Sequence, residues 1–431
     1  MISTGSPRPW KAEPGGPGVA AAVPMKIVYL HQYFNTPEMA GATRSFELAR
    51  RLVSAGHEVH MVTADRTPRA AGSGSEWRTT DEHGITVHWV SVPYDNKMSF
   101  SRRIRAFFRF AYSAAKKAAA LHGDIVYATS TPLTIAIPAV FASRRNGSPL
   151  VFEVRDLWPA VPIELGILRN PVAIWLARRL ERFAYRNSMH VVALAPGMKT
   201  EIAKTGYPEE RITVIPNGCD VELFAGLQSE SERIRERNDW FGDRPMVSYI
   251  GTIGRINAVD YFVRLARAAA QLDDEIRFVV VGTGIEEDNV RKLARELDVL
   301  DKNFFMLGRM SKTEAAAWCN AATMNIALVT GPRFIWKDAT QNKYFDSLAA
   351  GRPVASNYDG WQAVVATEAG AAIILDSDDS ETAARELVAA LRNDEWLKRA
   401  GEAARSLAAG QFSRDRHAAD LEQVLTQCAG S

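Results

Sequence analysis

"KIVYLHQYFNTPEMAGATRSFELARRLVSAGHEVHMVTA", residues 26–64, decides the fold. Its first five residues read as a buried strand, "TRSFELARRLVSAG" as a helix stopped by Gly56, and "EVHMVTA" (58–64) as the next strand. Short apolar strands joined through a loop and a helix make a parallel β-loop-α-β unit whose sheet is covered by helices. "ITVHWV", "DIVYATS", "LVFEV", "HVVALA" and "RITVIP" continue the alternation. A charged stretch at 229–244 reads as a surface helix or connector, and beyond it the pattern starts again. The second set of strands is "MVSYIG", "IRFVVVG", "NFFMLG", "MNIALV", "PVASN" and "AAIIL", with helices near 259–271, 286–298, 311–320 and 341–350. Two such halves predict an α/β chain of two doubly wound, Rossmann-like domains facing across a cleft, with ligands beyond the carboxyl ends of the strands. The domains are expected at 25–224 and 225–400. A helical tail, 401–431, has no strand after it and can pack on either domain.

The 431 residues are too many for one ordinary core. A net charge of +2 gives no overall case for nucleic-acid binding. Cys219, Cys319 and Cys428 form no close-spaced pair, which suggests neither a disulfide framework nor a zinc site and fits a reducing compartment. Residues 1–24, rich in Gly, Pro and Ala, lack the basic start and apolar core of a signal peptide and read as a disordered leader or an overextended start before Met25. No apolar run approaches the roughly 20 residues that cross a bilayer, so membrane contact is expected to be peripheral.

The chemistry concentrates in "KDATQNKYFDSLAAGRPV", residues 337–354. A helix starting near Gln341, with Thr340 as its possible N-cap and Gly351 as its terminator, places Asp338 in a loop and Asp346 inside the helix. The free N–H groups of such a start favour phosphate, Lys343 can add a cation, and Asp346 can accept from paired sugar hydroxyls. The plain alternative is a set of solvated helix charges. In "YIGTIGR" (249–255), Gly251 and Gly254 follow a strand and let backbone amides approach an anionic or flat ligand. Neither a GxGxxG fingerprint nor a phosphate loop of the GxxxxGK[ST] type is present, which argues against a nicotinamide enzyme or a nucleotide triphosphatase.

"VFEVRDLWP" (151–159) puts Glu153, Arg155, Asp156 and Trp158 at a strand end, as an ion-pair arrangement or as part of a site. Its partner loop carries His31, Gly41 and Arg44. His and carboxylates do not recur at metal-ligand spacing. Residues 97–122 hold seven Lys or Arg and no acidic residue, with Ile104, Phe107, Phe108, Ala111 and Ala115 at helical spacing. This segment either rests on an anionic membrane or covers the first domain.

In order, "HQYFNTPEMAGATRSFELARRLVSAGHEV", "FEVRDLWP", "IPNGCD" and "NKYFDSLAAGRPV" together resemble the retaining glycosyltransferases of family 4, which have the GT-B fold. The resemblance covers residues 25–425 and is nearest the bacterial branch that builds surface polysaccharides and includes N-acetyl-L-fucosamine transferases. It implies transfer of a sugar from a nucleotide diphosphate donor with retention of configuration. Asp346 would lie against the donor ribose, Asp338 near the transferred sugar or its phosphate, and Asn342 and Lys343 in the donor site. The two aspartates stand where the family commonly has glutamates. Thr252 and Asn257 stand where it often has an arginine and a lysine for the diphosphate, leaving Gly251, Gly254 and a displaced Arg255 to form a different loop. Gly41 resembles the glycine close to the donor diphosphate. Asp156 falls near the reaction centre, where the family often has a histidine.

The resemblance further implies a UDP-linked deoxy or N-acetylamino sugar as donor, with no metal requirement. It implies an undecaprenyl-diphosphate-linked glycan as acceptor, and a peripheral place on the anionic cytoplasmic face of the inner membrane, in O-antigen, capsule or exopolysaccharide synthesis. A GDP-sugar hexosyltransferase and a catalytically inactive nucleotide-sugar binding protein are the alternatives.

Overall fold

The computed structural model describes residues 23–39, 41–66, 77–93 and 98–430, so the leader lies outside the described residues. The chain forms two compact units. The first ends at Pro216, the second runs from Asn217 to Arg416, and the chain rejoins the first unit from His417.

The first unit is built on eight strands: β1 (Lys26–Leu30), β2 (Glu58–Asp65), β3 (Trp77–Glu82), β4 (Ile85–Ser91), β5 (Ile125–Thr129), β6 (Leu150–Val154), β7 (His190–Ala193) and β8 (Ile212–Val214). Their order is β3-β4-β2-β1-β5-β6-β7-β8, parallel throughout except for β3, which runs antiparallel to β4. β3, "WRTTDE", is the strand that sequence patterning misses. It is a polar edge strand, and its pairing is set by a two-residue turn at His83 and Gly84, both with positive φ, which suits a tight hairpin. Ile27 and Tyr29 of β1 pack under the helix Arg44–Ser54 through Phe46, Ala49 and Leu52. Leu421 and Leu425 of the last helix, Arg414–Ala429, enter the same core, which fixes the tail on this unit.

Residues 97–122 contain the helix Phe100–Ala120. Of the expected apolar stripe, Ala111 is buried, Ile104, Phe107 and Ala115 are half-buried, and Phe108 is exposed. Ala106, Phe110, Ala111, Ala114 and Ala118 are buried, while Phe108 and Tyr112 point outward beside Arg102, Arg105 and Arg109. Alanines let this helix pack closely on its neighbour Ala136–Asn146, with Phe110 buried among them and Phe108 and Tyr112 left on the outer side. Among the described residues, no helix is long and apolar enough to cross a membrane.

The second unit carries β9 (Met246–Ile250), β10 (Arg277–Val281), β11 (Phe304–Gly308), β12 (Met324–Ala327), β13 (Val354–Ser356) and β14 (Ala372–Ile374). All six are parallel, in the order β11-β10-β9-β12-β13-β14. That is the doubly wound order, and its direction reverses between β9 and β12, where loops from the two halves diverge and leave a crevice. Val247, Tyr249, Phe262, Phe278 and Phe304 fill the core on one side of the sheet, and Phe345, Leu348 and Phe412 belong to a second core that holds the helix Asn342–Ala349.

Candidate functional site

The helix Asn342–Ala349 begins beside the reversal point of the second sheet. Gln341, not Thr340, stands at its N-cap position, and no side chain caps it. The Gln341 side chain turns inward instead. Its Nε2 donates to the Leu328 carbonyl just past β12 at 3.1 Å, and its backbone N–H donates to Gln362 Oε1 at 2.9 Å. Thr340 contributes only its carbonyl, which accepts from Asn217 Nδ2 at 2.9 Å. The helix start is thus anchored by backbone and glutamine contacts. No acidic residue occupies its first turn, so the positive end of the peptide dipoles is not offset there.

Lys343 projects from that first turn onto Tyr249, the buried penultimate residue of β9. Its Nζ donates to the Tyr249 hydroxyl at 2.7 Å, and that hydroxyl donates to the Thr252 carbonyl at 2.7 Å. Half-burial of the ammonium, without a carboxylate to offset the lost hydration, lowers its pKa to about 7. Gly251 makes this approach possible. Its φ is +150°, and a Cβ there would stand 3.2 Å from Lys343 Cε.

One turn further on, Asp346 shares a narrow recess with Lys343. Ser248 and Ile250 of β9, Asn325 and Ile326 of β12, and Lys312 and Cys319 also line it. The room inside is about 80 Å³, against the roughly 300–1,000 Å³ of a site that encloses a small molecule. Only one end of a ligand fits here. Burial raises the Asp346 pKa to about 6, and Arg414 and Lys312 only partly offset it. Those two cations are shared with Asp220, which pairs with Arg414 at 2.7 Å and lies 3.5 Å from Lys312. The recess therefore presents an ammonium and a carboxylate whose hydration is already reduced, an arrangement suited to a phosphate beside hydroxyl groups.

The other expected residues lie around this centre, not in it. Asn342 is exposed on the first turn. Asp338 stays in the preceding loop, 3.7 Å from Lys337, and does not line the recess. Gly254 sits on the β9 loop against Asn257 Oδ1, and Arg255 reaches outward, 81% exposed and 3.5 Å from Glu286. Tyr249, Lys312, Asp220 and Arg414 complete the centre without a sequence signal of their own. Asp220 closes "IPNGCD", a stretch read only as part of a wider pattern, and the tyrosine looks like any core strand residue.

In the first unit, Glu153 is fully buried at the end of β6. Arg44 Nη2 and Nε reach its Oε2 at 2.8 and 3.0 Å, Tyr127 donates to the same oxygen at 2.8 Å, and Thr129 donates to Oε1 at 2.6 Å. Burial alone would raise its pKa, but Arg44 and Arg155 outweigh it and hold the carboxyl well below the ordinary range. This is an internal ion-pair hub. Arg155 extends it to Ser45 Oγ at 3.0 Å and lies 3.5 Å from His31 Nε2, and burial with that neighbouring charge keeps His31 neutral. Asp156 turns the other way. It is exposed and accepts from Thr131 Oγ1 at 3.2 Å. Gly41, φ +135°, sits in the β1 loop against Asn35, whose Nδ2 donates to the Tyr33 and Ala42 carbonyls. Among the described residues, no group of three His, Cys, Asp or Glu converges as a metal centre.

Residues 40–218 match the family described as Glycosyl transferase 4-like domain, and residues 244–393 match Glycosyl transferases group 1. The probable glycosyltransferase WbjE of Pseudomonas aeruginosa is 25% identical over 268 residues, which span 61% of this chain and 64% of that protein. The alpha-monoglucosyldiacylglycerol synthase of Streptococcus pneumoniae is 22% identical over 76% of this chain and 69% of its own length. In fold, the chain is similar to HepE of Anabaena, solved with UDP and glucose. The TM-score is 0.67, with 16% identity over 94% of this chain and all of that one. With the 4-like match on the first Rossmann-like sheet and the group 1 match on the second, the chain has the fold of the GT-B glycosyltransferases.

Proposed function

We propose that the chain transfers a glycosyl unit from a nucleotide diphosphate sugar, with retention of configuration, to a lipid-linked glycan in bacterial surface-polysaccharide synthesis. One observation carries the donor assignment: Lys343 and Asp346 share a recess below an uncapped helix start. In this reading Lys343 and the first-turn N–H groups hold the diphosphate, Asp346 accepts from the ribose hydroxyls, and Asp338 and Asn342 border the transferred sugar. The solved complexes of HepE with UDP and with UDP-glucose support a uridine donor. A deoxy or N-acetylamino sugar on that nucleotide follows from the resemblance to the surface-polysaccharide branch.

The acceptor hydroxyl oxygen bonds to the anomeric carbon on the face that the diphosphate leaves. The electron pair of the breaking bond goes to the diphosphate oxygen, which also takes the hydroxyl proton. Charge grows on that oxygen, so Lys343 and the helix dipole stabilise the transition state more than the ground state. No metal is assigned a part.

The lipid-linked acceptor and the membrane are supported by the outer face of the first unit. The helices Phe100–Ala120, Ala136–Asn146 and Pro171–Arg186 pack in succession and expose Phe108, Tyr112, Phe141, Val172, Trp175 and Leu176. Arg178, Arg179, Arg182 and Arg186 are exposed on the third helix. Apolar side chains ringed by arginine match an anionic bilayer surface. The pneumococcal relative, by its name, makes a glycolipid.

The deciding experiment incubates the protein with a panel of nucleotide sugars and undecaprenyl-diphosphate-linked acceptors and identifies product, linkage and anomeric configuration by NMR. A single product from a UDP-sugar with retained configuration is expected. Exclusive use of GDP-mannose or GDP-fucose overturns the uridine assignment, and an inverted anomer overturns the mechanism.

A further inference from the structure

At the amino ends of β12 and β13, on the sheet edge opposite the loops described above, the second unit has another recess, of about 350 Å³. Arg352, Lys398 and Arg405 line it, with Glu402 as its one acidic residue and Gly351 and Gly401 in its wall. Arg405 comes from the helix Asp394–Ala409, and Arg352 comes from the turn before β13. The glycines clear the space between them. A Cβ on Gly351, whose φ is +65°, would stand 2.8 Å from Arg405 Cγ and Cζ, and one on Gly401 would stand 2.8 Å from the Gly351 carbonyl. The two glycines let the Arg405 side chain lie against the turn that carries Arg352, so that both guanidiniums line one recess.

Like charges brought together need a compensating anion. Among the described residues, none supplies one: no carboxylate lies within ion-pair distance of Arg352, Lys398 or Arg405. Arg352 is half-buried, and its Nε donates to the Asn320 carbonyl at 2.9 Å, which fixes its fork. Burial first, and then the charge of Arg405, lower its pKa below the ordinary guanidinium value, in keeping with an uncompensated pair. Planar guanidinium forks fit the tetrahedral oxygens of phosphate better than they fit chloride. The remaining volume leaves space for a small carbon skeleton on that phosphate.

We infer that the recess between Arg352 and Arg405 is a binding site for the phosphate group of a small molecule, separate from the recess of Lys343 and Asp346. It has a direct route to that recess. The Arg352 backbone N–H donates to the Ser347 carbonyl at 3.1 Å, and Ser347 Oγ donates to the Arg352 carbonyl at 3.2 Å. Ser347 follows Asp346 on the helix that starts with Asn342 and Lys343. The turn that carries Arg352 is thus bonded directly to the element that presents both donor-side charges.

The test uses the full chain and inorganic phosphate as probe, titrated calorimetrically against chloride at matched ionic strength. It is run in the Lys343→Ala background, so that binding at the other recess does not contribute. Phosphate binding should persist there, weaken at least 10-fold in Arg405→Gln, and strengthen in Glu402→Gln. Arg405 is exposed, so its removal leaves the fold intact. Arg352→Lys, which keeps the charge and loses the fork, should also weaken binding. Phosphate binding that disappears with Lys343→Ala alone, or that is unchanged by Arg405→Gln, overturns the site. Phosphate no tighter than chloride overturns it as well.

Discussion

Lys343 and Asp346 are costly residues for the fold, and that cost yields the first predictions. In the free protein Lys343 loses its proton near pH 7, and Asp346 loses its proton near pH 6. If both must be charged to take the donor, kcat/KM rises with pH through about 6 and falls through about 7. Asp346→Asn should weaken donor use and abolish the acid limb. Lys343→Arg, whose charge persists at every working pH, should abolish the basic limb. A profile with both limbs unchanged in these variants rules out the assignment. Stability should move in the opposite direction. A lysine whose folded pKa lies below its unfolded one costs stability at pH 7 and below, and that cost disappears as pH rises towards the unfolded value. An aspartate whose folded pKa is raised costs stability above pH 6. Lys343→Met and Asp346→Asn should therefore raise the melting temperature at pH 7 by a few degrees, about 2–4 °C per kcal/mol for units of this size. Calorimetry showing both variants less stable than the parent would place these charges in the structural framework.

At the scale of elements, the exposed faces of the helices Phe100–Ala120 and Pro171–Arg186 carry the membrane reading. Arg102, Arg103 and Arg105 lie at the start of the first, and Trp175, 53% exposed with Arg179 over its ring, lies on the second. Each arginine near an anionic surface contributes about 1 kcal/mol, so removing three weakens binding on the order of 100-fold. Charge reversal of the three arginines should produce at least that loss on vesicles containing anionic lipid, and should impair the lipid-linked acceptor while sparing a soluble analogue. Trp175→Ser should weaken vesicle binding without altering its salt dependence. Undiminished vesicle sedimentation of the arginine variant would take the first helix out of the contact. The arrangement was only half legible in sequence, because periodicity marks a helix as amphipathic without saying which of its apolar residues face the core and which stay outside.

At the scale of the whole molecule, the last helix ties the chain's end to its beginning. Leu421 and Leu425 are fully buried beside β1 and β2 residues. Leu421→Ala should cost about 2–5 kcal/mol. Hydrogen exchange should speed up in peptides covering β1 and β2, while peptides covering β9 and β10 are unaffected. Uniform loss of protection across both units would refute the assignment of the tail to the first.

The sequence by itself determined the two α/β halves and nearly every strand in them, because buried parallel strands are short apolar runs set between amphipathic helices. It also placed Lys343 and Asp346 on one short helix. It did not show β3, whose polar residues pair only because a hairpin brings β4 beside them. It left open whether Glu153 belonged to a site or to an ion pair, and the side chains of Arg44, Tyr127 and Thr129 settle that as an internal hub. Nor did it show that Tyr249 receives Lys343, that Asp220 shares the cations around Asp346, or that Arg352 and Arg405 line one recess. Those contacts join residues 94, 126 and 53 positions apart, and only the packing of the sheet and its covering helices brings them together.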